Sequence, residues 1–387
     1  MKRSVISILT AKHENGTIII LSATMKREKL REWRSSTLFY CPQCNESVQL
    51  KVGDVVIPHF AHKKDKSCSA SFSEGESNEH LQGKQHLFSF FEKIGVIVKL
   101  EPYFNVLAQR PDLLVTTKTE QIPIEFQCSI IPIRLIESRT AGYKKAGMYP
   151  IWILQTPRNL TTPPQGVGIF QLSEFEKSFL TETPETTPKG IIFLTYNPQF
   201  ERFHYFSSLI HIAGRRFIGL HRTLPISKQI FPFAKPKAPT DHELQSYATL
   251  YLYERKKFLQ NRILHNRRGV NDPFLRACYE LRILPSELPL WIGFPVLYVN
   301  PFREHPCEWQ LAFVHFLHKE KLVVEDLSED VLYDFVEKFE GPTELQLKAC
   351  LKYLDFLSSL NMKSIDNIRN FEEKEFSEKL SHKFLAK

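Results

Sequence analysis

Two acidic residues, Asp112 and Glu125, sit on short apolar runs, Asp112–Thr117 and Ile122–Gln127. Lys118-Thr119-Glu120-Gln121 separates the runs and reads as a hairpin turn. With Thr117 and Ile122 as the last paired residues, Asp112 lies opposite Gln127. Cross-strand partners share a face, and so do residues two apart on one strand. Asp112, Glu125 and Gln127 then project from one side at one end of the hairpin. Carboxylates converging there supply the oxygen ligands of a divalent cation, the arrangement that metal-assisted phosphodiester hydrolysis uses. The plainer alternative is a Pro-Asp turn and a solvated Glu-x-Gln strand face. The flanking sequence weighs against it.

A helix has to present the rest of the site. Upstream, Gly75-Glu76-Ser77 leads into a segment running to Lys93, with Leu87, Phe88, Phe91 and Ile94 at helical spacing. Projected at about 100° per residue, His80 falls on the centre of that apolar stripe, with Glu76 and Lys84 beside it. The first turns therefore aim Glu76, His80 and Lys84 at whatever the later turns pack against. A buried Glu, His and Lys are costly unless paired or bound to something. An i,i+4 surface ladder would need the apolar stripe on another face. After the hairpin, Ser129–Tyr143 carries Arg139 and Tyr143 as i,i+4 neighbours, suited to a phosphate or to stacking on each other. Tyr149–Leu154 reads as one more buried strand.

The order is helix, strand (Val96–Leu100), strand, strand, helix, strand. With Glu76-Ser77-x-x-His80-x-x-x-Lys84, Arg110-Pro111-Asp112, Ile124-Glu125-Phe126-Gln127-Cys128-Ser129, Arg139-x-x-x-Tyr143 and Ile151-Trp152-Ile153-Leu154, it resembles the PD-(D/E)xK nuclease superfamily. Within it, the chain is most similar to the CoiA family of competence proteins of low-GC Gram-positive bacteria. The resembling motifs cover about the first 155 residues. The resemblance implies a mixed central sheet of α-β-β-β-α-β order, and Mg²⁺ or Mn²⁺ held by Glu76, Asp112 and Glu125. Gln127 then stands where most of the superfamily has lysine, a residue that orients the attacking water and offsets charge in the transition state. Lys84 is the candidate replacement cation, and His80 a further catalytic candidate.

Ahead of this core, Cys41-Pro42-Gln43-Cys44 is followed by His59-Phe60-Ala61-His62 and then Cys68. Two close cysteines on a turn and a second close pair suit a tetrahedral, structural Zn²⁺. The predicted ligands are Cys41, Cys44, His59 and His62, with Cys68 able to replace either histidine. A hairpin of Ser47–Lys51 and Val55–Pro58 would connect the pairs.

The chain has 387 residues, enough for two or three domains. The reading is an amino-terminal zinc-binding β module (1–72), the α/β nuclease-like core (73–180) and a mainly helical, basic carboxyl-terminal domain (190–387). Thr181–Pro188, polar and proline-rich, marks the second boundary. No apolar run approaches the roughly 20 residues that span a bilayer, and no signal peptide is apparent. Seven cysteines without a disulfide pattern fit a reducing cytoplasm. The net charge of +8 is concentrated: Arg215–Arg268 holds twelve Lys/Arg against three Asp/Glu. Arg255, Lys256, Lys257, Arg267 and Arg268 are its candidate phosphate contacts. Two main functions remain open at this point, with an RNA-processing enzyme on the same core as a weaker third. One is a cytoplasmic DNA-processing protein of transformation and recombination that cuts single-stranded or branched DNA. The other is a non-catalytic adaptor that holds DNA and recruits recombination proteins.

Overall fold

In the computed structural model the described residues are 7–22, 24–63, 76–161, 165–182, 190–323, 327–360 and 372–384. Cys68 and most of the proline-rich stretch 181–188 lie outside them.

Short apolar runs with polar breaks build the first module. Its elements are β1 (Ser7–Ile8), β2 (Thr10–His13), β3 (Ile18–Ile20), α1 (Arg27–Ser36), β4 (Phe39–Tyr40), β5 (Ser47–Lys51) and β6 (His59–His62). The sheet order is β1-β6-β5-β4-β2-β3, antiparallel throughout. Only Leu9 separates β1 from β2, yet they pair with opposite ends of the β6-β5-β4 group. Those three strands therefore wrap from one half of a kinked strand to the other, around Ile8, Leu9, Phe39, Leu50 and Phe60. β5 forms where the sequence places it, but its partner is His59–His62 itself rather than Val55–Pro58.

The central sheet follows. α2 (Asn78–Lys93) starts at Ser77, whose hydroxyl accepts the His80 N–H. Then come β7 (Ile97–Leu100), β8 (Leu113–Thr116), β9 (Gln121–Gln127), α3 (Ile133–Lys145), β10 (Ile151–Gln155), β11 (Gly166–Gln171), α4 (Glu174–Lys177), β12 (Thr181–Glu182), β13 (Ile191–Asn197), β14 (Arg202–Ala213) and β15 (Arg216–Pro225). The order is β11-β15-β14-β13-β10-β9-β8-β7, with β12 paired to β13. β10 runs parallel to both β9 and β13, so the sheet is mixed.

This order corrects the expected boundary at 181–188. β13 pairs beside β10, and the long β14–β15 hairpin continues the same sheet. Residues 190–225 thus complete the core instead of opening a separate domain. Thr181–Glu182, at the start of the polar proline-rich stretch, pairs as β12 with β13.

The helical region is α5 (Asp241–Leu264), α6 (Pro273–Glu280), α7 (Pro306–Lys319), α8 (Glu329–Val336), α9 (Thr343–Ser358) and α10 (Glu373–Phe384). Its core is continuous with Ile210, Ile212, Ile218 and Leu220 of the β14–β15 hairpin. Among the described residues no helix is long and apolar enough to cross a membrane.

One close contact fixes α2 on the sheet. At Gly83 an added Cβ would lie 2.0 Å from Cε1 of Phe126, a ring only 1 % exposed. Gly83→Ala should therefore lower stability by about 1–3 kcal/mol through overpacking, although alanine favours helices by about 1 kcal/mol. Thermal unfolding checks this, and an unchanged or raised Tm would contradict the close approach.

Candidate active site and metal centre

The β8–β9 hairpin delivers the two acids. Leu113 pairs with Ile124 and Thr116 with Gln121, and the Thr117 N–H bonds the Glu120 carbonyl. The turn is therefore two residues, Lys118-Thr119, and the register differs by two positions from the sequence expectation. Continued one step, it sets Asp112 opposite Glu125 rather than Gln127.

The two carboxylates nonetheless turn to different helices. Phe126 faces α2, so Glu125, of opposite parity in β9, faces α3. There Tyr143 Oη donates to Glu125 Oε1 at 2.6 Å, and Arg139 donates to the same oxygen. Asp112 lies just before β8, where the pleat no longer dictates its side. Its Oδ2 accepts the Phe126 N–H at 2.8 Å and lies 3.1 Å from His80 Nε2. Gln127 is held elsewhere, donating to the Ser129 carbonyl at 2.7 Å and to Ser129 Oγ at 3.2 Å.

Lys84 occupies the centre and is fully buried. Its Nζ donates at 2.5 Å to Glu76 Oε2 and at 2.5 Å to Glu101 Oε1, and stands 3.9 Å from Asp112 Oδ1. Glu76 lies just ahead of the helix, 3.9 Å from both His80 Nδ1 and Arg110 Nη2. Glu101 is a site residue that sequence reasoning missed, and Arg110, named there only within Arg110-Pro111-Asp112, carries a charge-pairing role that the sequence did not reveal. Glu101 follows β7 as a lone acid before a proline, with no periodicity to mark it. The Glu101 carboxylate also accepts the backbone N–H groups of Leu9 and Thr10 and the Thr10 hydroxyl.

These contacts set the protonation states. Burial works against the Asp112 carboxylate, but His80, Lys84 and the Phe126 N–H hold it well below the usual range. Burial pushes Glu125 up to about 7 against the pull of Arg139. Burial likewise raises Glu76 in spite of Lys84. His80 is desolvated, yet Asp112 and Glu76 raise its pKa. Lys84 stays charged, because Glu101, Glu76 and Asp112 outweigh its burial.

Among the described residues two groups have metal-ligand geometry, each with donor atoms all within 4.8 Å of one another. The first is Glu76, His80 and Asp112; Glu125, expected beside Glu76 and Asp112, is not in it. The second is Cys41, Cys44 and His62. His59 is not part of it. It sits three positions before His62 on β6, on the opposite face, with Nδ1 2.9 Å from the Ile57 carbonyl oxygen. Burial would push the Cys41 thiol up, but hydrogen bonds with His62, the Cys44 and Gln43 backbone and the Cys44 side chain bring it down to about 6.

The candidate phosphate contacts separate into two kinds. Arg139 and Tyr143 serve Glu125. Arg255 is buried on α5, and its guanidinium donates to the carbonyls of Leu288, Pro289 and Ile292, so it pins a loop and cannot reach a phosphate. Lys256, Lys257, Arg267 and Arg268 are exposed. Much of the remaining surplus is neutralised: Arg216 pairs with Glu254, Arg222 with Glu243, and Arg262 with Asp272 and Glu308.

An α/β core with opposed acids at its strand ends and a helix carrying a buried cation is a nuclease-like domain. Comparison with known proteins gives the family. Residues 76–236 match the family model described as the nuclease-like domain of competence protein CoiA, and residues 22–71 match the one described as its N-terminal domain. Competence protein CoiA of Bacillus subtilis (strain 168) is 29% identical over 296 residues, 75% of this chain and 74% of that protein. No solved structure matches the chain. The chain belongs to the CoiA family. The nuclease-like match also runs through β13–β15, in line with one sheet ending at Pro225.

Lys84→Met should cost about 3–5 kcal/mol at pH 7.5, because it strands buried carboxylates without a cation. Lys84 helps hold Glu101 below its ordinary range. That contribution is therefore present above the usual carboxylate range and fades as pH falls. The gap between wild type and variant should narrow toward pH 4.5, where protonation relieves the stranded charge. Urea unfolding at both pH values tests this; a pH-independent gap would contradict the ion network.

Proposed function

We propose that this chain is a cytoplasmic DNA-processing protein of natural competence, whose core cuts single-stranded or branched DNA with a divalent metal. The carrying observation is the convergence of Glu76, His80 and Asp112, with Lys84 3.9 Å from Asp112. Similarity to a competence protein with a nuclease-like domain supports the setting. Two carboxylates and an imidazole within one small group fit Mn²⁺ or Mg²⁺. Glu76, Asp112 and His80 would hold the ion, while Glu125 is held on the α3 side by Arg139 and Tyr143. Such an ion polarises a phosphoryl oxygen and acidifies bound water.

The chain's own groups do the rest. Asp112, held ionised, is ready to bind a cation across the working pH range. Lys84 is charged and fixed, so it offsets developing phosphate charge without reorganising. It supplies the charge that Gln127 lacks. Glu125, near 7, can accept a proton at neutral pH. A different observation favours the adaptor reading: the acids of the site already have cationic partners, and Gln127 is tied to Ser129. A centre neutralised in this way would hold DNA without cutting it and recruit recombination proteins.

Purified full-length protein, offered single-stranded, duplex and branched DNA with Mg²⁺ or Mn²⁺, decides between them. Cleavage is expected, and Asp112→Ala should reduce it by at least about a hundredfold. The rate should rise from pH 6 through pH 7 as Glu125 ionises, and Gln127→Lys should raise it. If wild type and Gln127→Lys both leave every DNA intact while wild type binds tightly, the adaptor reading holds.

Cys41, Cys44 and His62 are further proposed to hold a structural zinc ion. A thiol near 6 and a buried His62 Nδ1 without a hydrogen-bond partner fit that role. Cys68 is the candidate fourth ligand. Elemental analysis should find one zinc per chain, and Cys41→Ser should release it and destabilise the amino-terminal module. Fully folded, metal-free wild type would refute the site.

A further inference from the structure

We infer that the amino-terminal module carries a second nucleic-acid site, a cleft that takes a single strand. This rests on the nucleic-acid reading above. The cleft has a volume of about 810 Å³ and opens between α1 and the β5–β6 pair. Its floor is apolar, built from Val52, Val55, Val56 and Ala61, and Val55 is 90% exposed. Arg34, Lys51 and Lys63 stand around it, all exposed, and the His59 ring lines it. His59 is thus the histidine left over from the metal group, placed in a cleft.

Charge is arranged toward the same opening. Arg27, Arg31 and Arg34 recur at i, i+4 and i+7, one face of α1. Among the described residues Asp54 is the one acid lining the cleft. It is already taken up by Arg27 at 3.0 Å and Arg31 at 3.2 Å. Three lining cations, Arg34, Lys51 and Lys63, against one acid already answered by Arg27 and Arg31 leave a net positive rim beside the exposed Val55.

That combination distinguishes strands from duplexes. A duplex offers phosphates outward and keeps its bases stacked inside. A single strand offers both, so its phosphates can meet Arg34, Lys51 and Lys63 while its bases cover Val55 and the His59 ring. The cleft is separate from the exposed Lys256, Lys257, Arg267 and Arg268 on the helical region.

The test uses the full chain and a fluorescent oligonucleotide, single-stranded or annealed, titrated across a salt series. Arg34→Gln/Lys51→Gln/Lys63→Gln should weaken single-strand binding about tenfold or more. It should also reduce the log–log salt slope by roughly 2, at about 0.7 per lost contact. Asp54→Asn should tighten binding, a gain that misfolding does not produce. Wild type that binds, with the triple variant unchanged in affinity and slope, overturns the cleft and leaves its cations to an acidic protein segment. Loss confined to the duplex overturns the single-strand assignment. Wild type that binds no DNA of either kind overturns the functional reading itself.

Discussion

The charged groups between the first module and the central sheet are arranged around one buried ammonium group. Lys84 is sealed from solvent, and two carboxylates, Glu76 and Glu101, each meet it at 2.5 Å. An isolated ammonium in such a place would lose its charge or unfold the protein. Glu101 reaches it from a left-handed backbone, φ +51°, which costs about 1 kcal/mol or more for a non-glycine residue. The conformation persists because the carboxylate is claimed from both sides: Lys84 on one, and the Leu9 and Thr10 N–H groups on the other. The kink between β1 and β2 is thereby satisfied by the central sheet. The first module and the core share a hydrogen-bond system and a hydrophobic cluster, in which Ile8 and Leu50 pack with Leu81 and Phe91.

The same ammonium group shapes what the site can hold. Asp112, Glu76 and Glu101 surround Lys84, while Arg139 answers Glu125. A divalent ion at the Glu76–His80–Asp112 group would have to compete with Lys84 for Glu76 and with His80 for Asp112. Such binding would be an exchange of partners, coupled to the protonation of His80. The division of the acids between α2 and α3 follows from the pleat: Glu125 obeys strand parity, whereas Asp112 lies one residue outside it.

Residues with a local signature were legible in the sequence, and those defined by distant partners were not. His80 and Lys84 could be placed inward because the apolar stripe of α2 runs through them. Asp112 and Glu125 could be paired because a hairpin brings close neighbours together. The register slipped by two because Glu120 and Gln121 read as turn residues, although they pair in the hairpin. The slip sets Asp112 opposite Glu125 in the hairpin, yet the two carboxylates turn to different helices, Asp112 to His80 and Glu125 to Arg139 and Tyr143. Glu101 carried no signal: its partners lie about 90 residues upstream and 17 residues upstream. Arg255 looked like a surface cation because the carbonyls it binds come from a loop more than 30 residues away. Beyond residue 190 the sequence reads as a mainly helical domain, because the pairing that makes 191–225 part of the central sheet joins β13 to the distant β10 and is a tertiary fact.

Arg110 extends the charge system to the cysteine cluster. Burial would lower its pKa, but Glu101, Glu76, Cys41 and Asp112 together raise it. A line of alternating charge therefore runs from the Cys41 thiolate through Arg110 to Glu76, and on through Lys84 to Glu101. The two metal-capable groups are therefore electrostatic neighbours acting on one guanidinium, and the amino-terminal module touches the site directly through the Leu9 and Thr10 N–H groups on Glu101.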